Sequence, residues 1–268
     1  MSCRVLVLGA HPDDAEVFAG GLLVRHSRLG STIRIVSVTD GSAGHQSMAP
    51  AELKAIRRKE AAQAGATIGA EYVTLDFVDG RLQPNLEVRE VIIREIRRFE
   101  PDLVLTHRTN DYHPDHRAVG IAVQDASYMV TVPNVCPDEK PLRGDPIVAS
   151  MCDMFTRPNR MRADVVVDVR EEYRDLVAMA ACHESQFFDW LAYHDGVLDE
   201  VPEESSQRLD WLAGWLGKFH DQRREFFSSE MRDHGMDPAD TESKIEVYEV
   251  SEYAASLSDA QRSRLFPS

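Results

Sequence analysis

Hydrophobic and polar positions alternate along the first half of the chain in two rhythms. RVLVLGA (4–10), TIRIVSVTDG (32–41), YVTLDF (72–77) and DLVLTH (102–107) are short apolar runs rich in Val, Ile and Leu. Continuous runs of this kind predict strands buried on both faces of a parallel sheet. Between them lie longer stretches with helical character. The segment 18–29 opens on small residues at Gly20 and Gly21, and 50–69 is rich in Ala, Glu, Lys and Arg, with Pro50 near its start and Gly69 at its end. In 86–100, Val88, Val91, Ile92, Ile96 and Phe99 share one helical face, and Pro101 stops the helix.

Strand and helix alternate with short links. The pattern predicts an α/β fold: a Rossmann-like, doubly wound, mostly parallel sheet with helices on both faces. After Ala126 the rhythm breaks. Residues 131–146 carry four prolines and read as a long loop, with 131–160 as a rim of the site or a subunit contact. DVVVDV (164–169) reads as another strand, followed by a helix to about His183, and KIEVYEVSEY (244–253) as a late strand. The expected organisation is an α/β domain over 1–198. Residues 199–268 form a C-terminal extension of helical segments and a late strand on the same domain.

Composition narrows the function. The chain has 268 residues, of which 43% are hydrophobic and 28% charged, with a net charge of −15. That acidity argues against nonspecific binding to nucleic acid or to an anionic membrane, which need basic patches. The four cysteines are scattered and form no CxxC pair, so neither a disulfide framework nor a Cys-rich zinc site is expected. No apolar run approaches the roughly 20 residues of a membrane span. The N-terminus does not read as a signal peptide, and a cytoplasmic protein is expected.

The chemistry-bearing residues gather after strand ends, where open α/β sheets bind ligands. GAHPDDAEVFAGG (9–21) places His11, Asp13 and Asp14 directly after the first strand. Adjacent carboxylates repel and need a cation. HRTNDYHPDHRAVG (107–120) follows the fourth strand. There Pro114 suits the first position of a helix, which leaves His113 near its N-cap, and His116 stands three residues on, on the same face. Asp115 lies in the first turn, where a carboxylate suits the helix dipole. Five candidates, His11, Asp13, Asp14, His113 and His116, suffice for three ligands, a base and an acid around a catalytic divalent ion, with zinc suiting a His2Asp set. Asp40, His45, Asn110 and Asp111 also follow strand ends and could touch substrate hydroxyls. His107 reads as structural. Trp190, Trp211 and Trp215 read as core.

GAHPDDAEVFAGG together with DYHPDH resembles the PIG-L/LmbE family of zinc-dependent de-N-acetylases. The resemblance continues through VSVTDGSAGH (36–45), Arg57 to Ala61, NDYHPDHR, 123–137 and HESQFFDW (183–190), and is weak beyond about residue 190. It implies a catalytic domain over 1–198 and removal of an N-acetyl group from an amino sugar or related conjugate. His11, Asp14 and His116 would hold Zn2+. Asp13 would be the general base. His113 would be the acid or oxyanion stabiliser, oriented by Asp115. Arg57, Asn110 and Asp111 would meet the substrate. The partner implied is a small N-acetylated molecule, and family members often form homo-oligomers. One departure is Ala15, where many members carry Glu; here the acid is Glu16. Two other readings stand beside this one: metal-dependent hydrolysis of another amide or a phosphoester, and a Rossmann-like domain that binds a ligand without chemistry. The latter is disfavoured because GAHPDD, not GxGxxG, follows the first strand.

Overall fold

The computed structural model of the chain describes residues 2–267. Seven strands form one sheet: β1 (Arg4–Gly9), β2 (Thr32–Thr39), β3 (Glu71–Phe77), β4 (Leu103–Thr106), β5 (Ile147–Met151), β6 (Val165–Asp168) and β7 (Ile245–Val250). Their order is β3-β2-β1-β4-β5-β7-β6. The first five run parallel, and β7 is antiparallel to both of its neighbours, β5 and β6.

Strands β1 and β4 are apolar along almost their whole length because both faces are covered. On one face Val5, Val7, Leu103 and Leu105 meet helix α1 (Asp14–Arg28) through Ala19, Leu22 and Leu23. On the other, Leu6, Leu8 and Val104 meet α3 (Leu86–Phe99) and α4 (Pro114–Ala126). Helix α2 (Pro50–Thr67) starts on its proline, and α3 starts on Asn85, whose side chain accepts from Val88 N at 3.0 Å.

The chain crosses to one side of β1 for β2 and β3, and to the other for β4 and β5. The crevice between the carboxyl ends of β1 and β4 is therefore the switch point of the sheet.

Three expectations change. First, 131–160 is not all loop: IVASM forms β5, a buried strand beside β4. Five residues preceded by a proline give too short a pattern to read. Second, α1 begins at Asp14, four residues earlier than expected, because Asp13 turns the chain with a positive φ of 126°. Third, Gly20 and Gly21 lie inside α1, not at its start. A Cβ at Gly21 would stand 2.4 Å from Val169 Cβ, so only glycine admits that approach.

After β6 come α5 (Tyr173–Ala180) and a π-helical turn (Ser185–Trp190) running into α6 (Leu191–His194), and the C-terminal extension adds α7 (Ser205–Phe226), α8 (Ser228–Asp233) and α9 (Asp259–Leu265). Leu212 and Leu216 of α7 join Leu176, Val177, Phe187 and Phe188 in one cluster, which fastens the helix over α5. Glu246 of β7 reaches into α1, where its carboxylate accepts from Gly21 N at 2.7 Å and Leu22 N at 3.0 Å.

Candidate active site

The strand ends bring the two motifs together. His11 Nδ1 lies 3.2 Å from His116 Nε2, and His116 Nε2 lies 3.3 Å from Asp14 Oδ1. His11 Nδ1 is 3.7 Å from Asp14 Oδ2. Ligand atoms held tetrahedrally at about 2.0–2.1 Å from zinc stand about 3.3 Å apart.

The outward nitrogens of both imidazoles face carboxylates. His11 Nε2 is 3.2 Å from Asp79 Oδ1 and 3.4 Å from Asp115 Oδ2, and His116 Nδ1 is 3.2 Å from Asp111 Oδ1. Asp115 accepts from His11 Nε2, which turns that ring's Nδ1 lone pair inward, whereas His116 Nδ1 is buried beside Asp111 without an aligned hydrogen bond. Two imidazole nitrogens and a carboxylate this close together are donors that suit a cation. The donor set thus fits a divalent ion. The two distances to Asp14 are made by its two different oxygens, and three overlapping triplets each bring one ligand atom per residue within 4.8 Å of the others: His11–His113–His116, Asp14–His107–His116 and His11–Asp79–Asp115.

The electrostatics follow from this crowding of carboxylates. Burial opposes charge on His11, yet Asp115 and Asp79 push its pKa up to about 10. Burial likewise opposes charge on His116, and Asp14 and Asp111 raise it to about 9. Burial would raise Asp14, but His116 and His107 pull it well below the usual carboxylate range. Both histidines bind protons where no metal is present, which is the same demand for positive charge seen from the protein's side.

Asp13 stands apart from this cluster. Arg57 Nη2 donates to its Oδ1 at 2.9 Å, and Gln186 Nε2 to its Oδ2 at 3.0 Å. Its backbone N donates to Tyr72 Oη at 3.2 Å, and its positive φ holds it between strand and helix. Burial raises its pKa to about 6 against the pull of Arg57. A carboxyl near this value can take and return a proton close to neutral pH.

His113 caps α4: its Nδ1 accepts from Asp115 N at 3.2 Å. The ring therefore carries its proton on Nε2. Burial, then His11 and His116, lower its pKa. The Asp115 carboxylate does not orient His113, as the sequence suggested. It accepts from Leu82 N and Gly80 N and faces His11, and only its backbone N–H serves His113.

The three residues expected at the substrate separate. Arg57 lines the cavity beside His11 and His113, but its guanidinium already binds Asp13, Pro12 O and Gly41 O. Asp111 accepts from His113 N and faces His116. Asn110 lines a different cavity, with Arg108, Arg162 and Glu249.

Sequence reasoning missed several contributors. Asp79 follows β3, a strand-end carboxylate that the pattern offered and the reading passed over. His107, read as structural, has Nε2 3.0 Å from Asp14 Oδ2 and stacks on His116 with centroids 3.9 Å apart. Gln186 sits in the HESQ stretch, but nothing local to it announces a contact with Asp13. Trp190 lines the cavity rather than the core. Asp40, by contrast, caps its own turn through Ser42 N. Glu16, the acid displaced by Ala15, pairs with the fully buried His183 at 3.0 Å.

Residues 6–127 match the family model PIG-L, described as GlcNAc-PI de-N-acetylase. An uncharacterized deacetylase of Escherichia coli, YaiS, is 31% identical over 146 residues, 51% of this chain and 74% of its own. The 4-oxalmesaconate hydratase of Pseudomonas putida is 26% identical over 196 residues, covering 70% and 76%. The solved N,N'-diacetylchitobiose deacetylase of Pyrococcus horikoshii superposes with a TM-score of 0.70 at 22% identity, over 94% of this chain and 85% of that one.

Proposed function

Because the chain belongs to the PIG-L family of N-deacetylase enzymes, we propose that it is a zinc-dependent hydrolase that removes an N-acetyl group from an amino sugar or related conjugate. The products are acetate and a free amine. One observation carries the reading: His11 Nδ1 and His116 Nε2 face each other across 3.2 Å beside Asp14, with the carboxylate of Asp13 next to them and bound to other partners.

His11, Asp14 and His116 are the residues that would hold the ion. Bound there, zinc supplies a Lewis acid and lowers the pKa of a water. The chain's own groups do the rest. Asp13, its two oxygens fixed by Arg57 and Gln186, takes a proton from the attacking water. His113 donates Nε2–H to the oxygen on which negative charge develops, a preorganised contact commonly worth several kcal/mol. Asp13 then returns the proton to the leaving nitrogen. Protonated His113 is the alternative donor for this last step.

The test is direct. Chelation abolishes acetate release from N-acetylglucosamine conjugates, and zinc restores it. Full activity in the stripped protein sinks the metal assignment.

A second reading, addition of water across a carbon–carbon double bond, is favoured by the hydratase relative. A polycarboxylate substrate needs free cations; Arg57 is engaged by Asp13 and two carbonyls, and Arg223 keeps Nη1 without a partner. The amide reading is preferred on the family match and the deacetylase relatives, and assay of both substrate types decides. We further place the enzyme in a reducing cytoplasm, in keeping with its four free thiols, as a homo-oligomer whose mass size-exclusion chromatography with light scattering would report. Among the described residues no helix is long and apolar enough to cross a membrane.

A further inference from the structure

Two cavities meet at the candidate reacting centre. Asp13, Asp14, His116 and Gln186 line both. They differ in their walls. The first, of about 380 Å³, is faced by Arg57, Asp79, His113 and Trp190 and by the backbone of Ala43 and Gly44. The second, of about 480 Å³, is faced by Val17, Phe18, Met154, Phe155, Trp215 and Phe219.

A scissile amide at the junction has one substituent for each. An amino sugar carries hydroxyls, and burying a hydroxyl without a partner costs about 1–3 kcal/mol. The sugar half therefore belongs in the first cavity, whose wall carries Arg57, Asp79, His113 and the aromatic face of Trp190. That leaves the acyl half for the apolar chamber. An acetyl group fills almost none of it: a methyl is about the size of a water, whose share of liquid is about 30 Å³. The chamber holds on the order of ten heavy atoms.

Two carboxylates on its wall already have partners: Asp153 accepts twice from Arg108, and Asp195 accepts from Trp215 Nε1. Arg223 donates Nη2 to Val17 O. Arg223 Nη1, buried without a partner, is a donor that a hydroxyl or oxo group on the tail could meet.

We propose that the apolar chamber is an acyl subsite and that the preferred substrate is an amino sugar bearing an acyl group larger than acetyl. The inference rests on the deacetylase reading and extends it. The reaction is unchanged: the C–N bond breaks, the hydroxyl of water goes to the carbonyl carbon, and its proton goes to the amine.

The experiment uses an N-acyl glucosamine series, acetyl, butyryl, hexanoyl and octanoyl, with the zinc-loaded protein. Calorimetric binding of the same series to Asp13→Asn gives a readout independent of turnover. A buried methylene contributes about 0.8 kcal/mol, so affinity should rise up to about four-fold per CH2 until the chamber is full. Met154→Trp fills the chamber, and Phe155→Ala opens it at a position 41% exposed. Each should lower the hexanoyl-to-acetyl ratio of kcat/KM, the former at least ten-fold. Release of acetate with no gain, or a loss, on lengthening the chain overturns the acyl subsite and leaves the deacetylase reading standing. A ratio unmoved by Met154→Trp also overturns it. Release of no acid from any member, acetyl included, sinks the parent reading.

Discussion

The carboxyl ends of β1 and β4 and the C-terminal third of the chain build one site by different means. The first region concentrates its chemistry. His11, Asp13 and Asp14 occupy four consecutive positions, and Asp111, His113, Asp115 and His116 occupy six. Each group leaves a buried strand and enters a helix, so the backbone itself aims the side chains. The second region is diffuse. Gln186 comes from a π-helical turn, Trp215, Phe219 and Arg223 from α7, and Glu246 from the antiparallel strand β7. Single-turn π geometry is frequent at functional sites, and here it delivers an amide to the carboxylate of Asp13. Reactive groups must be close to one another, and short motifs supply that closeness cheaply. A cavity wall needs only apolar bulk at the right distance, which any packed segment can supply.

The largest effects should fall on the compact region. His116→Ala removes one imidazole from the donor set, and metal content should drop from about one equivalent to less than a tenth, with kcat/KM down by about 10⁴. Elemental analysis alongside the assay checks this. Retention of full metal would shift attention to one of the overlapping donor triplets.

Asp13→Asn comes next. General acid–base groups contribute typically about 10²–10⁴-fold, so turnover should fall about 10³-fold while metal stays bound. In the unaltered enzyme the acid limb of the kcat/KM profile should rise with pH. Asp13 must be ionised to act, its pKa is about 6 before a cation arrives, and a cation lowers it. The limb should therefore lie at or below about pH 6, and a limb well above 7 would contradict the assignment.

The diffuse region should show itself first in stability. His220 of α7 is buried, and burial with the neighbouring Arg223 depresses its pKa to about 3. The imidazole stays neutral in the fold while the unfolded chain protonates near 6.5, so the unfolded state binds the extra proton between those values. Stability should therefore fall as pH drops from about 6.5 toward 3, by about 3 kcal/mol between pH 6.5 and 4 from this group alone. Urea unfolding at several pH values should show a shallower acid slope in His220→Gln. An unchanged slope would remove His220 from the account.

Gln186→Leu should give the smallest effect and the one that joins the two regions. It removes one donor from Asp13, and losing a hydrogen bond to the charged form raises a carboxyl pKa. We expect kcat/KM to fall about 10–100-fold, metal to stay bound, and the acid limb to move upward. A loss of rate with an unmoved limb would mean that Gln186 only packs.

The legible part of the site was the part written in consecutive residues. HPDD after a strand and HPDH before a helix announce both their chemistry and their location. The tautomers were not legible: that Asp115 serves His11 with its carboxylate and His113 with its backbone depends on how α4 abuts the loop after β3. Nor was β5, a central strand of five residues that draws its apolar character from its neighbours rather than from any period of its own.

The sequence by itself determined the alternation of strand and helix, the placing of two metal-capable clusters at strand ends, and the likeness to one enzyme family. These are local properties, fixed by periodicity and by residues within a few positions of each other. Only the tertiary structure decided that β7 inserts between β5 and β6, that Gln186 reaches Asp13, and that apolar side chains from distant segments enclose a chamber beside the reacting centre. Those are contacts between segments far apart along the chain, and nothing in a local pattern encodes the distance across which a packed chain returns to itself.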